Sequence, residues 1–378
     1  MIVHYRTISL IILVGLATTA LLNTLSTKYS REFVAQATSI RLSRATTSSG
    51  SAIPQGSTKA SVLSNTSRRT TGDVCKHAER ASANRMRYLK LHPPSFATTR
   101  EMFRPVKRLL FFIGPARSGS TLMGRLLDAH PHITVTNEFD LFTRWPSEPK
   151  LWDKKKLFTN LYKESAIAAW LGMKALNQQK YRGCFTAYIR VPYQWQGKCD
   201  GYLEVIGDKK AQATLRAIQA NSKIVDEIQS KLGLPMSFIY PLRHPLDMVA
   251  THVLRETGKY ETYSHTNKQL YNLPKLKSAI HHFNNLTKAI QDWMDSKMLD
   301  ILPVHNDDLI YDTKRTLETV CGFLNVTCTS DYIGNCGKVI YKESSRTRDN
   351  VYWPPDLKQQ LLSIVKQYKI LARYEKDF

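Results

Sequence analysis

The stretch Leu109–Pro131, LLFFIGPARSGSTLMGRLLDAHP, decides how this chain is read. It opens on a fully apolar run, crosses a glycine-bearing loop and continues with helical periodicity. A short continuous apolar run followed by turn residues suits a strand buried on both faces of a parallel sheet. Beyond the loop, Leu122, Met123, Leu126 and Leu127 share one helical face, and Pro131 ends the helix. The loop keeps the spacing of a phosphate-binding turn, with Gly114, four intervening residues, Gly119 and then Ser120-Thr121. A strand-to-helix turn of this kind offers backbone N–H groups and the positive end of a helix to an anion. Ser120, however, stands where a nucleotide hydrolase has its lysine, and Arg117 lies inside the loop instead. A guanidinium can grip a phosphate or sulfate fork-wise without a metal.

Outward from this stretch, strand and helix patterns alternate. HITVT forms a second strand, and MSFIYPL (Met236–Leu242) a third before a helix opening at Pro245. ILPVHNDDL gives another strand, a helix follows to Leu324, and PPDLKQQLLSIVKQYKILARY, ending at Tyr374, is a last amphipathic helix. The expected fold is therefore α/β: a P-loop-like, three-layer domain over residues 105–378, with a central parallel sheet and helices on both faces.

The preceding residues read differently. Residues 1–7 are a short tail, and 8–25, ISLIILVGLATTALLNTL, lack any charge and approach the length that spans a bilayer. We read 8–25 as a signal anchor, with a cleaved signal peptide as the alternative. Residues 26–104, rich in Ser and Thr near the start, form an expected stem with too little apolar surface to fold. The net charge of +23 across 378 residues calls for anionic company. Entry into the secretory route argues against nucleic acid and for a membrane-anchored, luminal domain. The sequons at Asn65, Asn285 and Asn325 and an even cysteine count agree with that compartment. Short separations favour Cys184–Cys199 and Cys328–Cys336 as bridges, with Cys321 a buried thiol. His130 and His132 resemble a metal pair, but His130 belongs to the helix-ending motif, and no metal is called for.

The run P-A-R-S-G-S-T-L-M-G-R-L-L-D-A-H-P-H-I resembles the 5′-phosphosulfate loop of the Golgi membrane sulfotransferases, enzymes that use 3′-phosphoadenylyl sulfate (PAPS). That group includes carbohydrate sulfotransferases and tyrosylprotein sulfotransferases, and the loop is very near the tyrosylprotein version. FIYPLRHPLDMVATH is similar to the family's 3′-phosphate motif, with Arg243 at the strand end and Thr251 eight residues on. Thr replaces the usual Ser there, and His244 stands where Asp is common. The resemblance further implies Glu138, in TVTNEFDLF, as catalytic base, with Asp140 nearby as a competitor, and Lys209, in GDKKA, as a sulfonate ligand. Arg117 would share the catalytic work. Arg117, Ser118, Gly119, Ser120, Thr121 and Leu122 would hold the 5′-phosphate; Arg243, Thr251, Ser345 and Arg348 would hold the donor's other end. VHNDDLIYDTKRTLETVCGFLNV and KESSRTRDNVYW are similar to the family's C-terminal segments, the first without its usual Tyr-Glu. Residues Pro146–Tyr202 match poorly. These features imply sulfuryl transfer from PAPS in the Golgi lumen, to an acidic glycan or an acidic protein, by a possible homodimer. A non-catalytic nucleotide- or polyanion-binding protein and a magnesium-dependent nucleotide kinase are the rival readings.

Overall fold

The computed structural model describes residues 98–172, 189–263 and 266–378. The expected tail at 1–7, the anchor at 8–25, most of the stem, and Asn65, Cys75 and Cys184 lie outside them. Among the described residues no helix is long and apolar enough to cross a membrane.

Five strands form one sheet: β1 (Arg108–Phe112), β2 (Ile133–Asn137), β3 (Val205–Lys209), β4 (Met236–Leu242) and β5 (Ile301–His305). Their order is β2-β3-β1-β4-β5, and every pairing is parallel. β1 lies at the centre, and side-chain alternation into two cores explains the apolar run that begins at Leu109. Leu109, Phe111 and Ile113 enter one core, with Phe238, Tyr240 and Leu242 of β4. Leu110 and Phe112 enter a second core on the opposite face, with Met123, Leu126 and Leu127. This is the three-layer arrangement the sequence predicts.

The longer helices are α1 (Ser120–Leu127), α2 (Lys154–Leu171), α3 (Ala211–Ala220), α4 (Lys223–Leu232), α5 (Pro245–Glu256), α6 (Leu273–Asp295), α7 (Thr313–Leu324), α8 (Ser330–Gly337) and α9 (Pro355–Gln367). The last is shorter than its periodicity predicts: Tyr368 turns extended and a 3₁₀ segment follows, which buries Tyr368, Leu371 and Tyr374.

The L-L-D-A-H-P motif proves to be a packing device. Asp128 is fully buried, faces Arg125 at 3.4 Å, and accepts hydrogen bonds from Ser165 at 2.7 Å and the Val135 amide at 2.9 Å. One carboxylate thus joins α1, β2 and α2. His130 Nδ1 accepts from the His132 amide, leaving Nε2 to donate to Thr327 O at 3.0 Å.

The cysteine pairing departs from expectation. Cys321 is bonded to Cys328, while Cys336 and Cys199 are free thiols. The reason is local. Asn325 adopts a left-handed conformation at the end of α7, which folds the chain back and leaves the two Cα atoms 6.0 Å apart. His130, Cys321 and Cys328 place ligand-type atoms within 4.8 Å of one another, but sulfurs bonded to each other offer no thiolate.

Candidate active site

In an order β2-β3-β1-β4-β5, the connection leaving β1 runs toward one edge and that leaving β4 toward the other. The crevice between adjacent strands with diverging connections is where open parallel sheets bind ligands. The Gly114–Gly119 loop leaves the carboxyl end of β1, and Arg243 follows β4 directly, so both lie at the same edge of the sheet.

Two amide side chains hold the loop in a path that includes two left-handed residues. Arg117 sits at φ 75° and Gly119, the N-cap of α1, at φ 93°. Gln212 Oε1 accepts from the Ala116 amide at 3.1 Å, while Asn306 Nδ2 donates to Ser118 O at 2.8 Å. Asn306 fills the space where a Gly119 side chain would begin, its Nδ2 being 2.3 Å from an ideal Cβ. Ser118 Oγ is buried and has no hydrogen-bond partner among the described residues, so it can serve a phosphate oxygen. The Leu122 amide, expected at the 5′-phosphate, donates to Gly119 O at 3.0 Å. Arg117 stands near enough to α5 to lower the pKa of His252, behind burial and against Glu256.

At the end of β4, Arg243 Nη1 donates to Thr251 Oγ1 at 3.1 Å and Nη2 to Thr347 Oγ1 at 3.1 Å. Nη2 also meets Ser345 O. The eight-residue spacing thus brings arginine and hydroxyl together. Thr251 and Thr347 exchange a hydrogen bond of 2.8 Å. Arg348 is anchored on buried Asp247, through its backbone and guanidinium, both at 2.8 Å. Its Nε is buried without a hydrogen-bond partner among the described residues. Beyond Arg348 opens a cavity of about 640 Å³, lined by Tyr311, Arg346, Tyr352, Trp353 and Lys358 among others.

Glu138 follows β2 at the same edge, in a left-handed conformation at φ 68°. Its carboxylate lies 3.3 Å from Lys209 Nζ and 3.4 Å from Lys210 Nζ. Lys209 is almost fully buried, its stem packed over the bare face of Gly124 in α1. Asp140, the expected competitor of Glu138, is half-buried, and its Oδ1 has no hydrogen-bond partner among the described residues.

Four participants escaped the sequence reading. Asp208, Gln212, Asn306 and Thr347 each act on a segment distant in the chain. Asp208 alone carried a signal, an acid within the otherwise buried strand VIGDK. Asn306, in VHNDDL, and Thr347, in KESSRTRDNVYW, carry no local pattern that singles them out.

Fold and site together define an α/β domain that gathers a glycine loop, an arginine–threonine pair and a carboxylate between two lysines along one edge of its sheet. The chain belongs to the sulfotransferase family, whose sequence model matches residues 110–331. No curated protein sequence matches it. Among solved structures it is similar to the sulfotransferase domain from the curacin biosynthetic pathway, at 16% identity over 70% of this chain and 97% of that one, TM-score 0.38. Sulfotransferase STF9 from Mycobacterium avium is 10% identical over 78% of this chain and 84% of its own, TM-score 0.37. Mouse sulfotransferase SULT7A1, solved in complex with PAP, is 10% identical over 74% and 88%, TM-score 0.35. The family assignment rests on the sequence match.

Proposed function

We propose that this chain transfers a sulfuryl group from PAPS to a hydroxyl of an acidic glycan in the Golgi lumen. One observation carries this reading: Glu138, in contact with Lys209 and Lys210, shares a sheet edge with both the glycine loop and the Arg243–Thr251 pair. The donor's 5′-phosphate suits the loop amides and Ser118 Oγ, its 3′-phosphate suits Arg243, Thr251 and Thr347, and Arg348 closes that end. A cavity of about 640 Å³ is within the usual size for a small-molecule site, here the adenosine.

Glu138 takes the proton as the acceptor oxygen bonds to sulfur. The bond from sulfur to the phosphate oxygen breaks, and adenosine 3′,5′-bisphosphate (PAP) leaves with that electron pair. Lys209 and Arg117 stabilise charge on the sulfonate and the departing oxygen, so positioning and electrostatics supply most of the catalysis.

The net charge of +23 supports an acidic acceptor, glycan or peptide, since a basic protein concentrates polyanions. The uncharged stretch at 8–25 and the sequons support the luminal reading. Asn325 is exposed at a helix-ending turn, a better glycosylation acceptor than Asn285 inside α6. The test offers labelled PAPS to the full chain with native and desulfated glycosaminoglycans and with acidic tyrosine peptides. Label in a glycan supports the reading. Label in the peptides alone replaces the glycan with tyrosine, and donor retention without transfer makes the chain a binding protein.

A further inference from the structure

Glu138 reaches Lys209 only because the turn after β2 takes an unusual path. Both Glu138 and Asp140 adopt left-handed backbone conformations, at φ 68° and 65°. Residues with a side chain hold such conformations at a cost of about 1–3 kcal/mol each, so the surroundings must enforce them. The enforcing group is Asp208. It is 1% exposed, and its Oδ1 accepts from the Phe139 amide at 2.9 Å. Its Oδ2 accepts from the Asp140 amide at 2.7 Å and the Leu141 amide at 3.2 Å. Three successive N–H groups thus close on one carboxylate, the arrangement that satisfies a buried anion.

The neighbouring residue completes the grip. Side chains alternate across a strand, so Asp208 and Lys209 leave β3 on opposite faces. Asp208 takes the backbone of the turn from one side, while Lys209 passes Gly124 and meets the Glu138 carboxylate from the other. The Glu138 amide also donates to Lys209 O at 3.1 Å.

We propose that Asp208 is the positioning residue of the transfer reaction, fixing the turn that presents Glu138 to the acceptor hydroxyl. This rests on the reading of Glu138 as the base. Asp208 acts through Glu138 and touches no substrate itself. The charged groups around it are Lys209 on its own strand, Arg144 on the short helix after the turn, Glu164 on α2, and Glu148, which pairs with Arg144. Burial raises the Asp208 carboxyl to about 6, so it loses its proton, and its full acceptor capacity returns, only above mildly acidic pH.

The test compares Asp208→Asn, Glu138→Gln and the double variant of the full chain, in single-turnover transfer from PAPS and in PAP binding. Asp208→Asn keeps one acceptor oxygen and should slow transfer about 10- to 100-fold, the scale of a base displaced by about 1 Å, with PAP affinity within about twofold of wild type. The double variant should be no slower than Glu138→Gln alone. Unchanged transfer in Asp208→Asn, losses that multiply in the double variant, or PAP affinity falling in step with rate would each overturn the proposal. Normal turnover by Glu138→Gln would instead remove the base reading, and the Asp208 contact is then judged on the wild-type chain by hydrogen exchange. The same measurement decides if Asp208→Asn does not fold. Protection of the Phe139, Asp140 and Leu141 amides should fall at least tenfold, beyond the intrinsic pH effect, as the pH drops through about 6. Phe139, Asp140 and Leu141 amides that exchange at their unprotected rates at neutral pH contradict the grip.

Discussion

Lys209 Nζ lies 3.3 Å from Glu138 Oε1, although 71 positions separate the two residues. Lys210 touches the other carboxylate oxygen at 3.4 Å, but from a side chain 28% exposed, against 5% for Lys209. Water screens the outer ammonium far more than the inner one. Lys209→Ala should therefore lower kcat about 100- to 1,000-fold, the scale of removing a preorganised charge from a buried site. Lys210→Ala should cost less than about tenfold, as for a surface ion pair. Steady-state kinetics with PAPS compares them directly.

Gly119 resists replacement for two reasons. Its φ of 93° strains any residue with a side chain, and Asn306 Nδ2 sits 2.3 Å from where that side chain would start. Gly119→Ala should weaken PAP binding and destabilise the fold by about 1–3 kcal/mol. Adding Asn306→Ala removes the collision but leaves the strain and frees Ser118 O. The double variant should recover only part of the loss in thermal unfolding.

His244 supplies a pH signature of stability. Its Nδ1 accepts from the Leu246 amide at 3.2 Å and caps α5, while its ring packs against Tyr374 and Phe378. Burial foremost, then Arg348 and Arg243, hold it down to about 3 from the usual 6.5. The unfolded chain binds this proton more readily, so its stabilising contribution is whole above about 6.5 and drains away as the pH falls toward 3. His244→Asn keeps a capping acceptor and cannot titrate. Between pH 7 and 5, wild type should lose stability relative to this variant, approaching about 1.4 kcal/mol per pH unit. Urea unfolding at each pH measures the difference, in which other titrating groups cancel.

The Cys321–Cys328 bridge closes a loop with a sequence separation of 7. Chain entropy for so short a loop corresponds to about 2 kcal/mol. Replacing both cysteines by serine should lower stability by about that amount in urea unfolding and leave PAP binding unchanged. Replacing Cys336, a free and buried thiol, should not alter the number of titratable thiols lost on oxidation.

The parts visible in the sequence were those whose determinants are local. An apolar run buried on both faces, a glycine turn and an amphipathic helix lie within Leu109–Pro131, so β1, its loop and α1 could be read directly. Arg243 and Thr251 share one strand-to-helix segment, and helical spacing alone sets their approach. Asp208, Asn306 and Gln212 depend instead on strand order. Nothing in the chain near Asn306 indicates that β5 will bring it beneath Gly119, 187 residues earlier by number. The cysteines failed for a related reason. Separation along the chain favoured Cys328–Cys336, but the left-handed turn at Asn325 returns Cys328 to the helix it has just left.

The central claim is that one nucleotide spans the glycine loop of β1 and the arginine at the end of β4. Isothermal titration of PAP and of adenosine 5′-monophosphate against wild type, Arg117→Ala and Arg243→Ala tests it most directly. Arg243→Ala should weaken PAP about 10- to 100-fold, the value of a charged hydrogen bond to the 3′-phosphate, and leave the monophosphate unaffected. Arg117→Ala should weaken both ligands. If Arg243→Ala alters the two equally, or alters neither, the two sites do not hold one donor.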